Sequence, residues 1–297
     1  MKNLPMIPIE DLWFTAPDGL KLHALAARPK DAKALPVICL PGISRTAEDF
    51  RELLQAFATN AENPRTAIAL DSRGRGLSAR DPNPANYSVP MEIGDLLAVL
   101  DAEKITRAVF VGTSRGGILT MVMGAVRPQA IAAAVLNDIG PVLDMKGLLR
   151  IQAYVGKMPR PASWADAAAL LKRAMGDQFP AFDEAKWQDY ARRTWVSGKD
   201  GLAPRSDPLI SAALADIDPN VPPPDLWKQF EALAAAAPVL VLRGEHSDLL
   251  SRETVAAMRA RKPALESIEI AGQGHAPFLV DAATIGPILA FAAKHGN

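Results

Sequence analysis

Six short apolar runs set the main constraint on how this chain can fold. They are Val37-Ile-Cys-Leu40, Thr66-Ala-Ile-Ala-Leu70, Ala108-Val-Phe-Val111, Ala132-Ala-Ala-Val-Leu136, Val239-Leu-Val-Leu242 and Ser267-Ile-Glu-Ile270. Each stops at a Gly, Asp or Asn cluster. A strand with one wet face alternates apolar and polar residues; a continuous run asks for cover on both faces, as in a parallel sheet. Helix-like segments lie between many of the runs, at roughly 46–59, 90–103, 115–126, 251–261 and 281–294. The alternation predicts an α/β fold, an open sheet flanked by helices on both faces. Ahead of it, Asp11 to Arg28 alternates around Pro17-Asp-Gly19, which predicts an antiparallel hairpin at the sheet edge.

The rhythm breaks between about Pro141 and Trp227 and resumes at Pro238. The break contains helix-like stretches, several prolines and four of the five tryptophans, Trp164, Trp187, Trp195 and Trp227. This predicts a core formed by 1–140 and 228–297, with 141–227 inserted as a helical cap. Ligands of open α/β sheets bind beyond the carboxyl ends of the strands, so a cap there would roof the site. Trp164, Trp187 and Trp195 then either line a substrate pocket or pack the insertion's own core.

Composition narrows the function classes. Lys+Arg and Asp+Glu both number 33, so there is no global basic surface to drive nucleic-acid binding. Cys39 is the only cysteine, which excludes an intrachain disulfide and a cysteine zinc site; it reads as a small buried residue. No His-x-x-x-His spacing points to a metal and no Gly-x-Gly-x-x-Gly follows a strand, so no metal, dinucleotide or other cofactor is expected. The segment Met1 to Glu10 carries two prolines and an acid and is a poor secretory signal. The longest apolar run, Ala232 to Leu242, is too short to span a bilayer. A cytoplasmic protein without a membrane partner is the expectation.

Gly112-Thr-Ser-Arg-Gly116 stands where a buried strand becomes a helix. A turn sharp enough to project the Ser114 oxygen brings backbone against backbone, so its flanks must be small. A serine nucleophile needs a base, and the base needs an orienting acid. Of the four histidines, His23 and His295 read as surface residues and His246 as a loop residue, leaving His275 in a glycine-rich loop after the last strand. Asp248 follows the strand before it and is the expected acid; Asp138, after the strand that precedes the insertion, is the alternative, and Glu245 a further rival. The amide of Arg115 would face an oxyanion from the helix N-terminus, and the Ile43 amide in Leu40-Pro-Gly-Ile43 would supply a second donor.

These elements, with Asp71-Ser-Arg-Gly-Arg-Gly-Leu-Ser78, together resemble the α/β-hydrolase superfamily over the whole chain except the insertion. The resemblance implies a mostly parallel eight-stranded sheet, a helical cap, a Ser114–Asp248–His275 triad and an oxyanion hole at Ile43 and Arg115. It makes the Asp71 loop architecture rather than chemistry. Two departures stand out: Pro41-Gly42 replaces the His-Gly of many relatives, and Arg115 replaces Met or Gln. The Arg115 side chain is expected to pair within the protein, with Asp248 or another acid, or to meet a substrate carboxylate. Arg45, beside the oxyanion loop, is a candidate substrate contact or a solvated residue.

Serine at the elbow argues against the dehalogenases and epoxide hydrolases of the superfamily, which use aspartate there. The expected reaction is acyl transfer to Ser114 on a small-molecule ester, reaching polyester fragments if the cap is open. A lactonase or carbon–carbon hydrolase of aromatic catabolism is the second reading. A non-catalytic receptor for a small ligand on the same fold is the reading from another class.

Overall fold

The computed structural model describes residues 6–199 and 201–296, so the first half of the N-terminal segment read above lies outside the described residues. Among the described residues, ten strands and nine α-helices follow in chain order. The hairpin β1 (Ile9–Thr15) and β2 (Lys21–Ala27) precedes β3 (Val37–Leu40), α1 (Arg51–Ala58), β4 (Ala67–Asp71), α2 (Val89–Ala102) and β5 (Ala108–Thr113). Then come α3 (Arg115–Val126), β6 (Ile131–Asn137), α4 (Met145–Tyr154), α5 (Trp164–Met175) and α6 (Glu184–Thr194). A second hairpin, β7 (Trp195–Gly198) and β8 (Gly201–Pro204), leads to α7 (Trp227–Ala236), β9 (Val239–Gly244), α8 (Arg252–Arg261), β10 (Glu266–Ile270) and α9 (Ala282–His295).

Eight strands form one sheet in the order β1-β2-β4-β3-β5-β6-β9-β10. β1 and β2 run antiparallel at one edge, and all pairings from β4 to β10 are parallel. Each of the six apolar runs is a strand of this sheet. Their continuity has the predicted cause: Ile38 and Leu40 join the layer of α2, α3 and α7, while Val37 and Cys39 join the layer of α1 and α9. Cys39 is fully buried, and burial pushes its thiol up, away from reactivity.

His23 departs from the surface placement expected of it. It sits on β2 between β1 and β4 at 2% exposure, with Nδ1 2.7 Å from Asp71 and Nε2 3.0 Å from Asp11. Neighbouring strands bury it, and two carboxylates satisfy it. Burial disfavours the imidazolium, but the two carboxylates outweigh it and raise the His23 pKa above 6.5. A raised folded-state value means stability that is fully present below the unfolded pKa and lost as pH rises through the folded one. His23→Gln is therefore expected to cost about 2 kcal/mol at about pH 6 and less in alkaline solution, read by urea unfolding at the two pH values.

The segment between β6 and β9 differs from a purely helical insertion, because it includes the β7–β8 hairpin as well as α4 to α6. It has its own core, built from Ala167, Leu171, Met175, Phe179, Tyr190 and the fully buried Trp187 and Trp195. At its end α7 returns to the sheet layers, where a side chain on Gly124 of α3 would come within 2.6 Å of the Leu233 backbone. Among the described residues, no helix is long and apolar enough to cross a membrane.

Candidate active site

β5, α3 and the loops after β3, β6 and β10 converge at the carboxyl ends of the central strands. Ser114 lies between β5 and α3 with φ 51° and ψ −114°, a conformation costly for a residue with a side chain. The glycines around it are small because the turn has no room. A Cβ on Gly112 would lie 2.5 Å from the Gly116 carbonyl oxygen, and one on Gly116 would lie 2.0 Å from that of Leu40. Gly116→Ala is expected to destabilise the fold by about 1–3 kcal/mol or more, measured by thermal unfolding.

Ser114 Oγ is 2.9 Å from His275 Nε2, and His275 Nδ1 is 2.8 Å from Asp138 Oδ2. The carboxylate only accepts, so Nδ1 carries the proton and Nε2 is left to accept from the Ser114 hydroxyl. Asp138 is wholly buried and has two further donors, the Gly244 amide at 2.8 Å and the Ser247 hydroxyl at 2.6 Å. Such a chain of hydroxyl, imidazole and carboxylate is arranged to take a proton from serine and hold the resulting positive charge.

The expectation that Asp248 orients His275 is corrected. β6 lies directly beside β5 in the sheet, so Asp138 at its end stands next to the serine strand, whereas β9 is one strand farther out. The loop after β9 turns Ser247 toward Asp138 and gives the Asp248 carboxylate to Arg150 of α4, at 2.6 and 2.7 Å. Burial pushes Asp248 up, but the Arg150 guanidinium more than offsets this and holds it below the usual carboxylate range. A side chain on Gly147 would come within 2.6 Å of the Asp248 carbonyl oxygen, so α4 lies hard against this loop. His246 is 3.8 Å from Glu245 and His295 3.5 Å from Glu266, and neither shares the cleft that Ser114 lines.

Above Ser114 is a narrow cleft with a cavity volume of about 60 Å³. Ile43, Arg45, Phe50, Ile151, Tyr154, Tyr190 and Phe278 are among its lining residues. Gly42 brings the β3 loop close, since a Cβ there would lie 3.7 Å from that of Ser114. Arg45 borders the cleft but is already engaged: Asp49 accepts from it at 2.6 and 2.7 Å, Thr194 Oγ1 at 3.1 Å, and its guanidinium lies 4.5 Å from the Tyr190 ring centre. Burial pushes the Tyr154 phenol up to about 12, so it is a neutral donor in the physiological range. The three tryptophans do not line the cleft: Trp187 and Trp195 are in the insertion's core, and Trp164 packs on its edge. Apolar packing inside the insertion claims them, with the Trp195 ring N–H donating to the Pro159 carbonyl.

Arg115 turns its side chain away from the cleft and donates to Glu92 at 2.7 Å, the pairing within the protein expected as one of its two roles. Gln178 was not legible in the sequence. From the insertion, its side-chain oxygen accepts from the His275 amide at 2.9 Å, and only glycine at 274 leaves it room. Asn137 likewise holds the strand ends together, donating to Thr113 Oγ1 and to the Pro277 carbonyl. Among the described residues, no cluster of three or more His, Cys, Asp or Glu side chains is placed to hold a metal ion.

The sequence pattern of the Alpha/beta hydrolase family matches residues 37–285. The chain belongs to the alpha/beta hydrolase family. A crystal structure of an alpha/beta hydrolase from Novosphingobium aromaticivorans is similar to this hydrolase with a TM-score of 0.87 and 39% identity, covering 98% of this chain and 100% of that one. The 3-hydroxybutyrate-oligomer hydrolase of Cupriavidus necator is 31% identical over 277 residues, 91% of this hydrolase and 92% of the relative. Esterase YbfF of Escherichia coli is 35% identical over a shorter stretch, 36% of this hydrolase and 39% of the esterase.

Proposed function

We propose that this hydrolase cleaves carboxylic esters of small acyl substrates through an acyl-enzyme on Ser114. One observation carries the reading: Ser114 Oγ at 2.9 Å from His275 Nε2, with the opposite ring nitrogen at 2.8 Å from Asp138. His275 takes the hydroxyl proton as Ser114 attacks the ester carbonyl, and Asp138 holds the imidazolium that forms. The carbonyl oxygen becomes an alkoxide facing the amides of Ile43 and Arg115, each worth roughly 3 kcal/mol in the transition state. Collapse expels the alcohol with the proton from His275. A water molecule, deprotonated by the same ring, then attacks the acyl-enzyme and frees the acid and Ser114.

The inserted segment from about 141 to 227 serves as the cap over this cleft, and the Arg150–Asp248 pair ties it to the core. The narrow, aromatic cleft supports a short acyl unit rather than a long chain. The name of the Cupriavidus necator relative makes oligomers of a short hydroxy acid the first natural substrates to try. A cytoplasmic setting is consistent with a single, buried cysteine.

The test is turnover of p-nitrophenyl acetate and butyrate, 3-hydroxybutyrate dimer and trimer, lactones and thioesters. Hydrolysis of the short esters is expected. Binding of a lactone or acid with no turnover of any acyl donor would make the protein a ligand-binding member of the family instead.

A further inference from the structure

Glu92 and Arg75 have no place in the hydrogen-bonded chain through His275, yet both are almost fully buried, and Glu92 is bonded to the residue that follows Ser114. Glu92, in the first turn of α2, splits its carboxylate between two guanidiniums. Oε1 accepts from Arg75 Nη1 at 2.8 Å, and Oε2 accepts from Arg115 Nε at 2.7 Å. Arg75 donates onward from Nε to the Ile43 carbonyl oxygen at 2.7 Å, and from Nη1 to the Arg73 carbonyl at 2.7 Å. The far ends of this network are therefore Ile43 and Arg115, the residues whose amides the proposed mechanism uses as oxyanion donors. Arg115 follows the serine at the start of α3, and Ile43 is in the loop after β3. These two segments are far apart in sequence, and Glu92 bridges their side-chain and backbone groups. A buried carboxylate shared by two cations, one of them fully buried, is a costly arrangement for stability alone, because an apolar packing would avoid the desolvation.

We infer that Glu92 is a positioning residue for the oxyanion hole, setting the spacing between the Ile43 and Arg115 amides through Arg75 and the Arg115 side chain. The inference rests on the reading of those two amides as the oxyanion donors. In Glu92→Gln one carboxylate oxygen becomes an NH2 group, which cannot accept, so one of the two arginines loses its partner. The size and shape of the side chain stay the same.

The expected result for folded Glu92→Gln is a kcat for p-nitrophenyl butyrate about 10- to 100-fold below wild type with KM unchanged, smaller than outright loss of a donor because both amides remain. A merely structural role would lower the melting temperature without moving kcat per folded molecule. The discriminating readout is inhibition by an alkyl trifluoromethyl ketone. Its carbonyl carbon bonds to Ser114 Oγ, its C=O electron pair becomes an alkoxide, and the hydroxyl proton passes to His275. Its inhibition constant should rise by the same factor by which kcat falls. Arg115→Met, whose side chain is near the surface end of the network, is read the same way if Glu92→Gln does not fold. An unchanged kcat in the folded variants, or a lower kcat with an unchanged inhibition constant, overturns the inference. Wild-type protein that hydrolyses no ester would instead refute the esterase reading on which it rests.

Discussion

Ser114→Ala is expected to lower kcat for p-nitrophenyl butyrate by about 10⁶-fold, to the level left by substrate binding and the proposed oxyanion donors. The size of the loss follows from geometry. Ser114 Oγ is bonded to His275 Nε2, so it is the hydroxyl placed to give its proton to the ring as it attacks. The fold should survive, because alanine keeps the Cβ that the strained turn already accommodates and removes only the hydroxyl. Circular dichroism and melting temperature close to wild type, beside background hydrolysis, are the expected pair of results.

Asp138→Asn comes next in size, at about 10⁴-fold in kcat. The asparagine amide would donate toward Nδ1 and favour the opposite imidazole tautomer. Nε2 would then carry a hydrogen where the Ser114 hydroxyl needs an acceptor. The wild-type carboxylate is held by three donors, His275, Gly244 and Ser247, so it is fixed in the orientation that selects the productive tautomer. Asp248→Asn is expected to stay within about tenfold of wild type, a barrier change of roughly 1.4 kcal/mol, since its carboxylate serves Arg150. Kinetics of the two variants side by side distinguish the acids; the reverse ranking would return Asp248 to the role.

The parts of this protein that were legible in its sequence share one property: each was signalled by local chain requirements. Both faces of a central strand must be apolar, so the six runs identified the sheet before its order was known. Ser114 is flanked by glycines because backbone packs there, and His275 follows the last strand in a glycine-rich loop. The choice between Asp138 and Asp248 had no such signal. Both end strands, and both fall between Ser114 and His275 in the chain; strand order and the turn of the loop after β9 decide which one meets the imidazole. His23 is similar: an alternating hairpin does not say which neighbour covers it, and the cover comes from β4, far along the chain. Trp187 and Trp195 show the limit of composition, which detects apolar bulk without revealing whether it faces a cleft or a core. Glu92 and Gln178 had no signal either. A lone acid in the first turn of a helix ordinarily caps a dipole, and only the long-range partners, Arg75, Arg115 and the His275 loop, mark these two as part of the site.

Covalent labelling asks whether Ser114 accepts a group at its oxygen. Wild-type protein is treated with a short-chain alkyl fluorophosphonate, followed by intact mass and peptide mapping. One adduct per chain is expected, on the peptide carrying Ser114, formed in step with loss of ester hydrolysis and absent from Ser114→Ala. An adduct on another residue that accompanies inactivation, or full ester hydrolysis by a protein labelled at Ser114, would contradict a Ser114 nucleophile.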